Sequence, residues 1–355
     1  MPEQNPLQTI DIVIPTRGRA SSVSELLCCI LVQTVLPKKI VIVDDSFDNQ
    51  TEELIVRKQR DFANREIKLV HMWGDGLYPK GICRARNLGM RETTADIVLF
   101  LDDDILMDVH YIEKLLEVYS KNPSAMGVQG YMGCPNFSST SHAINRIFLL
   151  YYAEKDKNRL LCSTGLTWPH SLEKVTPSEW MSGTNSSYKR SIITEFAWDN
   201  KLGEYSLYDD VDFSCRVLKK YSHSLFMTPF ARYSHKNSSN ARRKPKLDTL
   251  IRINYPVYFF FKNIKQTSGN RLKFLWSMFG RFFVIFLWRK TPRQIFYLMS
   301  AYVFALRNLR SVQVGEFKFL LMPKAHQLIL KQLYKKLTEN RFSMLLNIRH
   351  ETMDN

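Results

Sequence analysis

Short, unbroken apolar runs alternate with amphipathic stretches through the first hundred residues. Ile10-Asp11-Ile12-Val13-Ile14, Lys39-Ile40-Val41-Ile42-Val43, Ile67-Lys68-Leu69-Val70 and Ile97-Val98-Leu99-Phe100-Leu101 have the length and β-branched content of buried strands. Between them, residues 21–33, 51–62 and 81–92 space their apolar positions as helices do, with Ser21 or Ser22 expected to cap the first. Strands alternating with helices predict βαβ units and a mostly parallel sheet. Further along, 109–119 reads as a helix, 126–130 as a strand and 209–220 as a helix. Residues 133–180, broken by Pro135, Ser138-Ser139 and Pro169, read as loop-rich.

Several of these runs end in chemistry. Pro15-Thr16-Arg17-Gly18-Arg19 follows the first strand, its backbone and arginines able to meet a nucleotide base or phosphate, Asp44-Asp45 follows the second and Asp102-Asp103-Asp104 the fourth. The carboxyl ends of parallel strands form the crevice where open α/β sheets bind ligands. Clustered carboxylates raise one another's pKa unless a cation neutralises them, and hard oxygen donors suit Mg²⁺ or Mn²⁺, which in turn hold phosphate oxygens. The bland alternative for the triplet is a solvated acidic turn. Arg86 and Asn87 lie on the helix before the triplet, either bridging phosphates and carboxylates or forming an exposed basic face. Asp209-Asp210-Val211-Asp212 puts three acids into a helix start, more than the helix dipole requires, so one is a candidate general base. His235 is a ligand candidate only through its place after these clusters. No Gly-x-Gly-x-x-Gly or Walker sequence is present.

Charge divides the chain. Of a net +16, residues 241–355 carry 22 Lys/Arg against 5 Asp/Glu, and residues 1–240 are nearly neutral. The length suits one large domain, 1–240, and a basic, aromatic helical region, 241–355. Residues 272–288 and 295–306 are apolar and aromatic, with Arg289, Lys290 and Arg293 between them. Neither run reaches the roughly 20 uncharged residues that cross a bilayer. Both fit interfacial helices, with Lys273, Ser277, Gly280 and Arg281 on one polar face. A helical subdomain packed on the body and a tilted hairpin are the alternatives. The expected partner is an anionic membrane surface bound through 250–310, at the cytoplasmic face, with peripheral or monotopic attachment. The aromatics run in blocks instead of interleaving with Lys/Arg, which argues against nucleic acid. The polar start predicts no signal peptide. Six cysteines without a Cys-x-x-Cys predict reduced thiols, with neither a disulfide framework nor a zinc site.

Taken in order, Ile12-Val13-Ile14-Pro15-Thr16-Arg17, Val43-Asp44-Asp45-Ser46, Ala85-Arg86-Asn87-Leu88-Gly89, Phe100-Leu101-Asp102-Asp103-Asp104, Trp180-Met181-Ser182-Gly183-Thr184-Asn185, Asp209-Asp210-Val211-Asp212-Phe213 and His235 resemble a family 2 glycosyltransferase. The resemblance covers about residues 9–236. It implies an α/β GT-A fold, a Rossmann-like, mostly parallel sheet flanked by helices, here with a helical membrane-associating appendage. It implies an inverting, metal-dependent transfer from a nucleotide-sugar donor to a lipid-linked or glycan acceptor. By the same resemblance Pro15, Thr16 and Arg17 line the nucleotide pocket, Asp44 and Asp45 meet the base, and Arg86 and Asn87 support the diphosphate. Asp102, Asp104 and His235 hold Mn²⁺ or Mg²⁺, Asp103 contacts ribose or metal, Gly183 closes over the sugar, and Asp210 is the base. The family usually has Glu-Asp where this chain has Asp209-Asp210, which leaves Asp209 and Asp212 open as bases. A sugar-nucleotidyltransferase and a non-catalytic membrane scaffold are the competing readings.

Overall fold

The computed structural model describes residues 8–74, 81–202, 207–236, 245–288 and 291–317. Arg289, Lys290 and most of the basic linker 237–246 lie outside them. The first half is the anticipated alternation: β1 (Ile10–Thr16), α1 (Ala20–Leu31), β2 (Lys39–Asp44), α2 (Gln50–Ala63), β3 (Lys68–Trp73), α3 (Ile82–Arg91) and β4 (Ile97–Phe100). Then come β5 (Ile105–Met107), α4 (Tyr111–Lys121), β6 (Gly127–Tyr131), α5 (Ser139–Ile147), β7 (Tyr151–Glu154), β8 (Leu166–Pro169), β9 (Thr176–Pro177), β10 (Ser186–Lys189), α6 (Arg190–Glu195), α7 (Asp209–Lys220) and β11 (Leu225–His235). Four helices close the described chain: α8 (Pro245–Asn263), α9 (Ser268–Trp288), α10 (Pro292–Arg307) and α11 (Leu309–Gln313).

The main sheet runs β3-β2-β1-β4-β10-β6-β11-β5. β1 is parallel to β2 and β4, and β6 is parallel to β11; β10 enters antiparallel between β4 and β6. Alternation along the strands explains the continuous apolar runs. Ile12, Ile14, Ile97 and Leu99 bury on one face of the sheet with α1, α2 and α4; Val13, Val98 and Phe100 bury on the other. Both faces are covered, so both sets of positions must be apolar.

The first helix begins one residue earlier than anticipated. Arg19 occupies the N-cap position without a side-chain cap bond, and Ser21 and Ser22 lie inside the first turn. Arg19 is held there because its guanidinium is committed to the acidic triplet.

The C-terminal helices pack on the body. Ile251, Ile253, Tyr255, Phe259 and Phe260 of α8 share a core cluster with Phe213 of α7 and Tyr188 of β10. Polar bonds fix the docking: Asn263 donates to Asp212 at 2.7 Å, Lys262 pairs with Asp212 at 2.7 Å and with Asp199 at 2.5 Å. On α9 the C-terminal part of the polar stripe faces inward, and only Lys273 at its start is exposed. Ser277 and Gly280 are buried and Arg281 reaches Tyr208, while Leu272, Leu275, Trp276, Phe279, Phe283 and Phe286 are exposed. A Cβ on Gly280 would lie 2.2 Å from Phe148. Only glycine lets the helix come this close. Among the described residues no helix is long and apolar enough to cross a membrane.

Candidate active site

The acidic triplet follows β4 and lies at the carboxyl end of the parallel strands. β11 runs antiparallel to β5 with His235 opposite Ile105, so His235 meets Asp104 although 131 positions separate them in the chain. His235 Nε2 stands 2.9 Å from Asp104 Oδ1, and ligand atoms of Asp102, Asp104 and His235 all lie within 4.8 Å of one another. Two carboxylates and an imidazole at that spacing fit a divalent cation such as Mn²⁺ or Mg²⁺. Asp103 points the other way. It accepts from Thr16 Oγ1 and Arg19 Nη1, each at 2.7 Å, and Arg19 also reaches Asp104 at 3.2 Å. Burial raises the Asp103 carboxyl despite these donors, and it raises Asp102 to about 6 against the attraction of Arg86.

Arg86 organises the other half of the site. It is buried, at 1% exposure, and is not on an exposed helix face. Its guanidinium pairs with Asp209 at 2.9 Å and Asp102 at 3.2 Å, donates to the Gly183 carbonyl at 2.6 Å, and lies over the Trp198 ring at 4.5 Å. A Cβ on Gly183 would come within 2.8 Å of both Arg86 terminal nitrogens, which is why the loop has glycine there. Asn87 does not face the cleft. Its side chain bonds the backbone of Trp198 in both directions and Asn200, fixing the aromatic wall under Arg86.

The three acids of α7 separate clearly. Asp209 is fully buried and paired to Arg86. Asp212 is fully buried and held by Arg216, Asn263 and Lys262. Asp210 is partly exposed and lines a cleft of about 360 Å³. It accepts from the Gly183 N–H at 3.0 Å and the Val211 N–H at 2.8 Å. Burial and then the neighbouring Asp209 charge push its carboxyl up to about 7, against those two bonds. A carboxyl of that acidity suits proton abstraction near neutrality. The preceding Tyr208 holds a left-handed conformation, φ 68°, a strained geometry for a bulky residue.

At the β2 end, Asp44 is fully buried. Burial would raise it, but hydrogen bonds from His71 and Ser46 hold it below the usual carboxylate range. Asp45 is partly exposed and bonds through its N–H to the Thr16 carbonyl at 2.9 Å. Pro15, next to last in β1, is in register with Val43, and Arg17 is exposed, 5.5 Å from the Phe47 ring centroid. Two larger clefts, about 730 and 680 Å³, contain none of these residues; the first is lined by Asp96, which precedes β4 and so marks the sheet's opposite end.

Residues 11–171 match the sequence profile described as Glycosyl transferase family 2. That match spans somewhat less than half of the chain. A glucosyl-dolichyl phosphate glucuronosyltransferase of Haloferax volcanii is 34% identical over 123 residues, 34% of this chain and 37% of the relative. A chondroitin synthase of Escherichia coli is 22% identical over 284 residues, 74% of this chain and 40% of the relative. The chain thus spans well under half the length of these two curated relatives. Among solved structures, S. aureus TarS 1-349 is 13% identical, covers 88% of this chain and 90% of its own, and superposes with a TM-score of 0.50. GalNAc-T7 with UDP, GalNAc and Mn²⁺ is 14% identical over 78% of this chain and 55% of that one, also at 0.50. These likenesses establish the GT-A architecture: a mostly parallel sheet flanked by helices.

The sequence points to both arginines of Pro15-Thr16-Arg17-Gly18-Arg19 as contacts for a base or phosphate, whereas in the structure Arg19 bridges Asp103 and Asp104. Gly18, with φ +64°, is the signal that could have found it, since it turns the chain so that the second arginine points back.

Proposed function

We propose that this protein is an inverting, metal-dependent glycosyltransferase that moves a sugar from a nucleotide-diphosphate donor to an acceptor hydroxyl on a lipid-linked or glycan substrate. The observation that carries the proposal is the division of labour in α7. Asp210 alone faces a cleft, while Asp209 and Asp212 are committed to buried ion pairs. Gly183 joins this residue to the donor half of the site, with its carbonyl on Arg86 and its N–H on Asp210.

The chain's own residues supply most of the chemistry. Thr16, Arg17, Pro15 and Asp45 form the rim for the nucleoside, and Asp44 orients that rim from below through Ser46. Asp102, Asp104 and His235 would hold the cation, with Arg19 and Thr16 fixing Asp103 between them. A bound Mn²⁺ or Mg²⁺ would offset the charge of the departing diphosphate. Arg86 and Asn87 act as positioning residues. Asp210 accepts the proton as the acceptor oxygen attacks the anomeric carbon from the face opposite the diphosphate, which inverts that centre.

A second reading concerns location. Exposed Leu272, Leu275, Trp276, Phe279, Phe283 and Phe286 on α9, with Phe296, Met299 and Val303 on α10, form a broad apolar surface flanked by exposed Arg271, Lys273, Arg293, Arg307 and Arg310. Apolar rings beside cations favour peripheral attachment to an anionic membrane, at the cytoplasmic face, through 250–310.

The test is release of nucleoside diphosphate from a panel of nucleotide sugars with Mn²⁺, Mg²⁺ or EDTA. Release from one donor class, abolished by EDTA, is expected. A folded chain that binds no donor with either metal would reduce it to a scaffold. Pyrophosphate as the product would make it a nucleotidyltransferase. Salt-sensitive pelleting with anionic vesicles checks the membrane reading.

A further inference from the structure

The cleft at Asp210 has a cationic wall that the donor side does not use. It is lined by Tyr208, Asp210, Ser182 and Trp180 from the body, and by Arg252 of α8 and Arg281 of α9. Its volume of about 360 Å³ lies within the range of small-ligand sites, about 300–1,000 Å³. Arg281 enters from the packed face of α9. One terminal nitrogen donates to Tyr208 Oη at 2.6 Å and approaches Thr164 Oγ1 at 3.4 Å, yet its Nε atom is buried with no hydrogen-bond partner. No carboxylate pairs with Arg281 among the described residues. Arg281 lies over the Tyr208 ring, 5.8 Å from its centroid, and its charge has no ion-pair partner among the described residues, which leaves it available to an anion in the cleft. Arg252, half-exposed, lines the same cleft and pairs through its Nε with Asp248 at 2.7 Å.

From this geometry we infer that the cleft takes the phosphate of a lipid-phosphate acceptor, with Arg281 and Arg252 holding the phosphate while the acceptor hydroxyl meets Asp210. The inference rests on the glycosyltransfer reading above and narrows its acceptor. Two planar guanidinium forks match phosphate oxygens. The lipid part follows from the same helix. The segment that leads into the cleft through Leu150 begins with Ile147 and Phe148. Trp276 Nε1 donates to the Ile147 carbonyl at 2.8 Å, and Phe148 packs against Trp276, Phe279 and Phe283, the exposed aromatics of α9. A phosphate in the cleft therefore has an apolar track beside it for a hydrocarbon chain.

The probes are decyl phosphate below its micellar concentration, inorganic phosphate, decyl maltoside and a short hyaluronan oligosaccharide. All are titrated in EDTA so that no anion binds through a metal at Asp102, Asp104 and His235. Decyl phosphate should bind the full chain at least tenfold more tightly than inorganic phosphate or decyl maltoside. Arg252→Ser and Arg281→Gln should each weaken it about tenfold or more, and Arg281→Lys should restore part of the loss. Arg252 is on the surface, so Arg252→Ser keeps the test valid if Arg281→Gln fails to fold. Unchanged decyl phosphate binding in Arg252→Ser and Arg281→Lys would overturn the inference. So would equal binding of inorganic phosphate, or preference for the uronate oligosaccharide. Donor hydrolysis by the wild-type chain is read separately; its absence would sink the glycosyltransfer reading and leave the phosphate result standing on its own.

Discussion

Asp210→Asn should make the protein more stable and nearly inactive at once, and the two effects should depend differently on pH. The folded state raises this carboxyl from 3.8 to about 7, by burial and by the Asp209 charge. A raised pKa means the folded form holds the proton more tightly than the unfolded chain. Its contribution to stability is complete below pH 3.8 and is lost as pH climbs through about 7. The gap is worth about 1.4 kcal/mol per pH unit, so its ceiling is about 4 kcal/mol. Solvent at the mouth of the cleft screens part of this, and about 1–2 kcal/mol should remain. The amide cannot ionise, so its advantage over the native carboxyl should grow between pH 4.5 and pH 8 by roughly 3–6 °C in Tm. Comparing the two pH values removes the constant cost of exchanging an oxygen for an amine against the Gly183 and Val211 N–H groups. Thermal unfolding by circular dichroism measures the first effect. Nucleoside diphosphate release in the presence of acceptor measures the second, which should fall about 10²–10⁴-fold with loss of the proton acceptor. A Tm difference that ignores pH would refute the electrostatic account. Transfer within tenfold of wild type would move the base elsewhere.

Three further outcomes are expected. Arg86→Met removes the ion pairs to buried Asp209 and to Asp102 and should cost about 3–5 kcal/mol, read as a lower urea midpoint. Asp104→Asn should abolish the Mn²⁺-dependent rise in Tm given by nucleoside diphosphate, while the metal-free Tm moves little. Gly280→Val places methyl groups where the Phe148 ring stands and should destabilise by about 1–3 kcal/mol, with a loss of near-ultraviolet dichroism from the Trp276 and Phe148 contact.

The parallel half of the fold could be read from sequence because buried parallel strands must be apolar on both faces. The antiparallel insertions could not. β10 is Ser186-Ser187-Tyr188-Lys189, whose serines are buried in the sheet without an apolar run to mark them. β5 has three residues, and β11 carries Pro229 in its middle. α5, β7 and β8 fall in the segment read as loops, and α8 contains Pro256, which hides a 19-residue helix. In the site, the clustered carboxylates were visible because charges at strand ends stand out. Their assignments were not: spacing could not separate Asp209, Asp210 and Asp212, whose difference is which partners packing brings to each. Arg86 shows the same limit. On a helix with Arg84 and Arg91 it looks solvent-facing, and only tertiary partners, Asp209, Asp102 and the Gly183 carbonyl, make its burial tolerable.

The Arg86 pairing also ties the site's two halves into one opening unit. Its guanidinium joins the triplet loop, the Gly183 loop and the start of α7, segments far apart in the chain. Should any one of them swing away, a buried cation or carboxylate is left without its counter-charge, a state several kcal/mol uphill. Local fluctuations that open only the donor side or only the α7 side are therefore suppressed, and amides in the three segments would exchange with solvent together. Substrate entry then requires either rim residues that move without Arg86, such as Arg17, or a concerted opening of all three loops.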